Sequence, residues 1–343
     1  MDSEQLFRAI ASHFGKPLPR EAGALPPERA EQYLNALGPQ ALEEVREKIG
    51  ELSPGHAFDS IIGERLKRII KANPGLAGLV SGVTVQGIDT VSEATKTIKM
   101  PNGQSLILLD SHTMLFLWMM NKSFIYGQSR LSEEDNENLY FEIFLHFATL
   151  RHAKAAGGVY PRPKTPKHVD ELEMGMLYLF TDIQETFLLC HELAHAFIGS
   201  NPRLPDTLIS TTDFPLSHKS LFPSNTGIDL ELLADELALE WTLNTGKIDM
   251  PESVEVICTA VFLLIRYFMW LRIVHTEAEQ DTEFQLWLAR NNLLRAKFWH
   301  VYHWAPPTFI VDLFEHLESV MEPASLKAGV VFRKLALEQT KMP

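Results

Sequence analysis

Residues 190–197 read CHELAHAF. His191 and His195 lie four apart, so on an α-helix both imidazoles share one face and can reach one ion. Glu192 follows His191 directly and is rotated from it by about 100°. It therefore stands beside such an ion without being forced to ligate it. Histidine nitrogens hold divalent metals, and a neighbouring carboxylate can take the proton of an attacking water. The pattern alone is moderately specific. With 13 histidines in the chain, two helix histidines without a metal are the competing reading.

A catalytic zinc needs a third protein ligand and one position open to water. Residues 229–241, DLELLADELALEW, offer one. Glu231 and Asp235 are four apart on a second helix, and Glu231 can complete a His/His/Glu set. Asp235, one turn on, can accept a hydrogen bond from the far nitrogen of a liganding histidine and fix its tautomer. Ala234 and Ala238 are small enough to let this helix approach the first closely. Leu230, Leu233, Leu237 and Trp241 are expected on its buried stripe, opposite Leu189, Leu193, Ala196 and Phe197 of the first helix. A solvated acidic helix explains the charges, with Glu236 and Glu240 among them, but not the small alanines or the E-x-x-A-D order.

HELAH at 191–195 followed by ELLAD at 231–235 resembles the gluzincin superfamily of zinc metallopeptidases. The resemblance extends in organisation over roughly residues 95–320, while about ten positions carry motif identity. It implies one Zn2+ per chain on His191, His195 and Glu231, with Glu192 as general base and Asp235 behind the ligands. It implies a zincin-like catalytic domain, with a small sheet before the active-site helix whose edge strand aligns a peptide. Within that group the chain is similar to Lit-type and ImmA/IrrE-type peptidases. CAAX-prenyl endopeptidases share E-x-x-A-D but bring transmembrane helices that this sequence lacks. A looser match is H300-V-Y-H-W-A-P-P-T308, similar to a His-Pro-Pro-like segment of some gluzincins. There His303, His300 or Tyr302 is a candidate donor to an oxyanion, and a plain helix-capping turn is the competing reading.

These residues need helices to hold them, and the patterning supplies helices. Apolar periodicity predicts them over roughly 111–122, 132–155, 171–199, 229–245, 252–275, 279–299 and 308–320. Thr181–Gln184 resembles a capping box, so either a helix starts there or one long helix runs from about 171. Residues 83–87, VTVQG, are strand-like. Residues 97–110 read as a hairpin about Asn102-Gly103. The expected fold is α+β and predominantly helical. Helices are expected at 2–14, after Pro26-Pro27, at 39–51 and at 57–72. The last stops before Asn73-Pro74-Gly75, which is read as the boundary between an N-terminal helical region, 1–74, and a catalytic domain, 75–343. The first region is a candidate regulatory or partner-binding module. Two long loops, 156–170 and 200–228, interrupt the helices, and the second is expected to wall or gate the cleft.

Composition narrows the partners. Of 343 residues, 45% are hydrophobic and 22% charged, enough to bury a sizeable core, and the formal charge is −13. That charge argues against nucleic acid and anionic lipid, which need clustered Lys and Arg. RLKRIIK at 65–71 is basic but fits an amphipathic helix. Cys190 and Cys258 sit in apolar runs and look like buried small hydrophobes, so a reducing, cytoplasmic setting is expected. The N-terminus lacks the apolar stretch of a secretory signal. VICTAVFLLI at 256–265 is broken by Arg266 and reads as a buried helix, not a membrane span. The sequence thus predicts a soluble zinc endopeptidase acting on a protein or peptide. A zinc hydrolase of another bond, or an interaction protein that keeps the site as scaffold, are its rivals.

Overall fold

The computed structural model describes residues 16–17, 54–89, 95–100, 103–156, 170–200, 226–249, 254–275, 282–300 and 308–339. The helices expected at 2–14, after Pro26 and at 39–51, most of both long loops, and His303 lie outside these residues. The chain divides into two compact units, Met1–Thr113 and Met114–Pro343.

In the first unit, helix α1 (Pro54–Ala72) ends where the NPG sequence stops it. Asn73 turns back, its backbone N–H and its side-chain amide both donating to the Ile69 carbonyl at 2.9 and 3.0 Å. Pro74, with no N–H to give, then opens a 3-10 turn, Pro74–Leu76, followed by the short α2 (Ala77–Val80). The sheet comprises β1 (Lys16–Pro17), β2 (Val83–Asp89), β3 (Lys96–Lys99) and β4 (Ser105–Asp110), in the order β1-β2-β4-β3. The hairpin forms as the sequence predicts, with β3 antiparallel to β4. Its turn is one residue longer than the tight two-residue kind. Met100 N–H donates to the Gln104 carbonyl, and Gly103, at φ 84°, takes the left-handed conformation that ends a three-residue loop. β2 runs parallel to β4. Strand β4, SLILLD, is therefore central and buried along its whole length, which is why it reads as a continuous apolar run. Asp110 then caps the next helix by accepting from the Thr113 N–H at 3.1 Å.

The second unit is helical: α3 (Ser111–Arg130, whose first three residues belong to the first unit), α4 (Glu133–Ala156), α5 (Glu171–Ser200), α6 (Thr226–Asp249), α7 (Val254–His275), α8 (Thr282–His300) and α9 (Thr308–Gln339). Phe116 of α3 meets Phe144 and Phe147 of α4 and Phe268 of α7 at ring-centre distances of 5.1–6.4 Å. Among the described residues one helix, α7, is long and apolar enough to cross a membrane, and 67% of its apolar window is buried within the protein. Arg266, the break in its run, pairs with Glu318 of α9 at 2.5 Å and rests on Phe262 and Trp270. Both cysteines are free and buried, and burial pushes each thiol up to about 12.

Of the two openings the sequence left for this helix, the long one is found: one helix spans Glu171–Ser200, and Thr181 and Gln184 do not cap a new one. Both are buried in its interior, where Asn121 of α3 donates to Thr181 Oγ1 at 3.0 Å and to Gln184 Oε1 at 2.8 Å. The cap that starts α5 is Asp170, whose carboxylate accepts from the Glu173 N–H while Glu173 accepts from the Asp170 N–H, both at 2.9 Å. Helix α9 runs through Pro323 to Gln339 instead of stopping near 320. Burial of Val320, Met321, Ala324 and Ala328 holds it together, and Ser325 Oγ donates to the Glu322 carbonyl. Leu230 is 38% exposed, not on the buried stripe of α6. Turning Glu231 and Asp235 toward α5 carries Leu230 outward and brings Leu232 in.

Candidate metal centre

Helix α5 is apolar on nearly every face, and its buried middle holds the histidines. Leu188, Leu189, Leu193, Ala194 and Ala196 are all buried around them. Helix α6 packs along α5, and Ala234 and Ala238 are fully buried in it. Small side chains at these two positions allow the close approach, and Glu231 and Asp235 arrive against the histidines.

The three candidate ligands converge. His191 Nε2 lies 3.0 Å from His195 Nε2. Glu231 places Oε2 at 3.3 Å from His191 Nε2 and Oε1 at 3.3 Å from His195 Nε2. Among the described residues this is the group of His, Cys, Asp or Glu side chains whose donor atoms all lie within 4.8 Å of one another. The spacing suits a single divalent ion. Glu231 meets each histidine with a different carboxylate oxygen, and one donor atom from each of the three side chains lies within 4.8 Å of the others. The set is graded in exposure: His191 is buried, while His195 and Glu231 are half-buried.

Behind the ligands stands Asp235, fully buried, with Oδ1 at 2.9 Å from His191 Nδ1. At this ring orientation Nδ1 makes no well-aligned hydrogen bond. The buried imidazole thus has a carboxylate within reach of one nitrogen while the other faces the donor cluster, the arrangement a liganding histidine uses. Burial and the Arg290 guanidinium both oppose a charged His191. Asp235 and Glu231 outweigh them and hold its pKa up at about 9. Burial likewise works against the Glu231 and Asp235 carboxylates. For Glu231 the two histidines prevail, and for Asp235 mainly Arg290 does, keeping both below the usual carboxylate range. Glu192 is buried one residue from His191, within electrostatic range of Arg290. The phenyl ring of Phe187, one turn before, lies 6.4 Å from the His191 ring at a shallow angle.

One residue of this centre carries no signature in the two motifs. Arg290 of α8 is buried and donates to Asp235 twice, from Nε to Oδ2 and from Nη2 to Oδ1, each at 2.7 Å. Its sign in the sequence is an arginine placed on the apolar stripe Leu286, Ala289, Leu293. Seven residues later, Lys297 pairs with Glu236 in the same helix pair. The chain matches no family model, no curated protein and no solved structure.

Proposed function

We propose that this centre binds one zinc ion and hydrolyses peptide bonds of a protein substrate. The observation that supports it most is the convergence of His191, His195 and Glu231, whose donor atoms lie within 4.8 Å of one another on a helix pair that also carries the buried Glu192 next to His191. Two imidazoles and one carboxylate suit zinc, and three protein ligands with an open fourth position are the catalytic rather than the structural form of such a site. Zinc, when bound, supplies an acidified water and polarises a carbonyl oxygen. The chain's own residues do the rest. Asp235 orients His191, and Glu192 accepts the proton of the attacking water and passes it to the departing amine. Burial of His191, Glu192 and Asp235 keeps bulk solvent from screening these charges.

Two measurements test the reading. Metal analysis of the purified chain is expected to give about one zinc, lost in His191→Ala and Glu231→Ala. Absence of bound or bindable zinc sinks the site. Glu192→Gln is expected to keep the zinc and lose the cleavage. Comparing protein termini in cells carrying Glu192→Gln with those carrying the parent reads this directly. Identical termini in both remove the peptidase claim, and a zinc site that turns over a non-peptide ester or amide instead assigns a different hydrolase.

A further inference from the structure

Two carboxylates meet the histidines, and something must decide which one is left for the metal. We infer that Arg290 is a positioning residue of the centre: it commits Asp235 to holding His191 and leaves Glu231 free to ligate. The inference rests on the metal-site reading above. The guanidinium engages both oxygens of Asp235 side-on at 2.7 Å. Oδ1, which accepts from Arg290 Nη2, also lies 2.9 Å from His191 Nδ1, so a small rotation of the imidazole brings Nδ1 onto it. Such a fork fixes the rotation of the carboxylate, which a single donor does not. Toward Glu231 the geometry is different. Arg290 Nη1 stays 4.0 Å from Glu231 Oε2, beyond hydrogen-bond length, so the Glu231 lone pairs remain available while its charge is still balanced.

Arg290 is itself held. Its guanidinium lies 4.1 Å from the centre of the Trp287 ring. Leu286, Ala289 and Leu293 of α8 pack on Leu232 of α6. Helix α8 thus delivers one cation to the back of the ligand set at a defined height. A plain tie between α6 and α8 is the alternative role, and the molecule contains its own control. Lys297–Glu236 ties the same two helices through a separate pair of side chains.

The test is the zinc dissociation constant of the full chain, by competition with a chromophoric chelator, alongside the denaturation midpoint. Arg290→Met is expected to weaken zinc by about 10–100-fold, the usual loss when a ligand's hydrogen-bonded support is removed, while Lys297→Met stays within about twofold. Arg290→Lys keeps the charge without the fork and recovers only part of the affinity. Arg290→Met combined with Asp235→Asn is expected to lose no more than the worse single variant, because Arg290 acts through Asp235. Arg290→Met matching Lys297→Met in affinity overturns the inference, as does full recovery by Arg290→Lys or multiplying losses in the double variant. If Arg290→Met does not fold, Arg290→Lys and Arg290→Gln carry the same comparison. A parent chain that binds no zinc removes the metal-site reading first and this inference with it, whereas a zinc-binding parent with unaffected Arg290 variants removes this inference alone.

Discussion

His191 faces a carboxylate with each of its nitrogens, Glu231 at Nε2 and Asp235 at Nδ1, and this ties its proton to the metal. With its pKa held up at about 9, His191 in the metal-free protein is protonated at pH 7, and ligation must expel that proton. Zinc binding at pH 7 is therefore expected to release about one proton from His191, read by calorimetry in buffers of different ionisation enthalpy. A heat of binding independent of the buffer counts against the assignment. Stability of the metal-free chain follows from the same charges. His191 is raised above its ordinary 6.5, so its contribution is complete below that pH and is lost as pH rises through about 9. Glu231 and Asp235 are lowered, so theirs is complete above the ordinary carboxylate range and is lost as pH falls through their depressed values. Denaturation in chelator is accordingly expected to show stability falling from pH 7 toward pH 10, and a flat profile over that span contradicts the His191 contacts. Most of this cluster is legible in the sequence because helical periodicity alone aligns 191 with 195 and 231 with 235. Arg290 is not. Its partner lies 55 residues away, and only its misplacement on an apolar stripe hints that a buried anion must face it. The proposed oxyanion donor His303 lies outside the described residues.

Helix α6 shows what the elements add to the residues. Its hydrophobic pattern is nearly uniform, so the stripe that turns inward is chosen by Glu231 and Asp235 and by the small residues beside them, not by the leucines. That choice explains why Leu230 lies outside while Leu232 lies inside. Ala238 is fully buried in α6, and Ala238→Leu is expected to cost about 1–3 kcal/mol through overpacking, read by urea denaturation with unchanged slope. A cost below about 0.5 kcal/mol denies the close approach that brings the carboxylates to the histidines. Helix existence was readable from periodicity throughout the second unit, but helix ends were not where tertiary packing overrides a local signal. Thr181-Asp-Ile-Gln looks like a start because its side chains suit a cap. Asn121 instead pairs with them in the core. The helix expected to end near 320 instead runs on through Pro323, because Val320 and Met321 before the proline and Ala324 and Ala328 after it are buried. The Asn121 network makes its own prediction. Asn121→Leu leaves the Thr181 hydroxyl and the Gln184 amide short of a partner, and a loss of about 1–3 kcal/mol is expected in the same denaturation assay. A neutral substitution there shows that water or neighbouring groups replace Asn121.

At the scale of the molecule, every residue of the candidate centre comes from Met114–Pro343, on three helices that are 30, 24 and 19 residues long. The parallel pairing of β2 with β4 was not readable from the sequence, since a parallel partner leaves no turn signal between the two strands. By contrast, the helical unit announces its site because the ligands fall within two short motifs. Bringing α5, α6 and α8 together concentrates Glu192, Glu231 and Asp235 around the Arg290 guanidinium and the His191 imidazole. A divalent cation relieves that excess of negative charge only in the folded chain, since unfolding parts His195 from Glu231, 36 positions on in the sequence. Metal binding is thus linked to folding. At free zinc 100 times the dissociation constant the stabilisation is about 2.7 kcal/mol, which for a unit of this size raises the melting temperature by about 5–10 °C. Differential scanning fluorimetry of the full chain with zinc and with chelator reads the difference. It should vanish in Glu231→Ala, which keeps both histidines but opens the ligand set. A shift that persists in Glu231→Ala places the bound metal elsewhere on this acidic surface, and no shift in the parent leaves the cluster an ion-pair network rather than a metal centre.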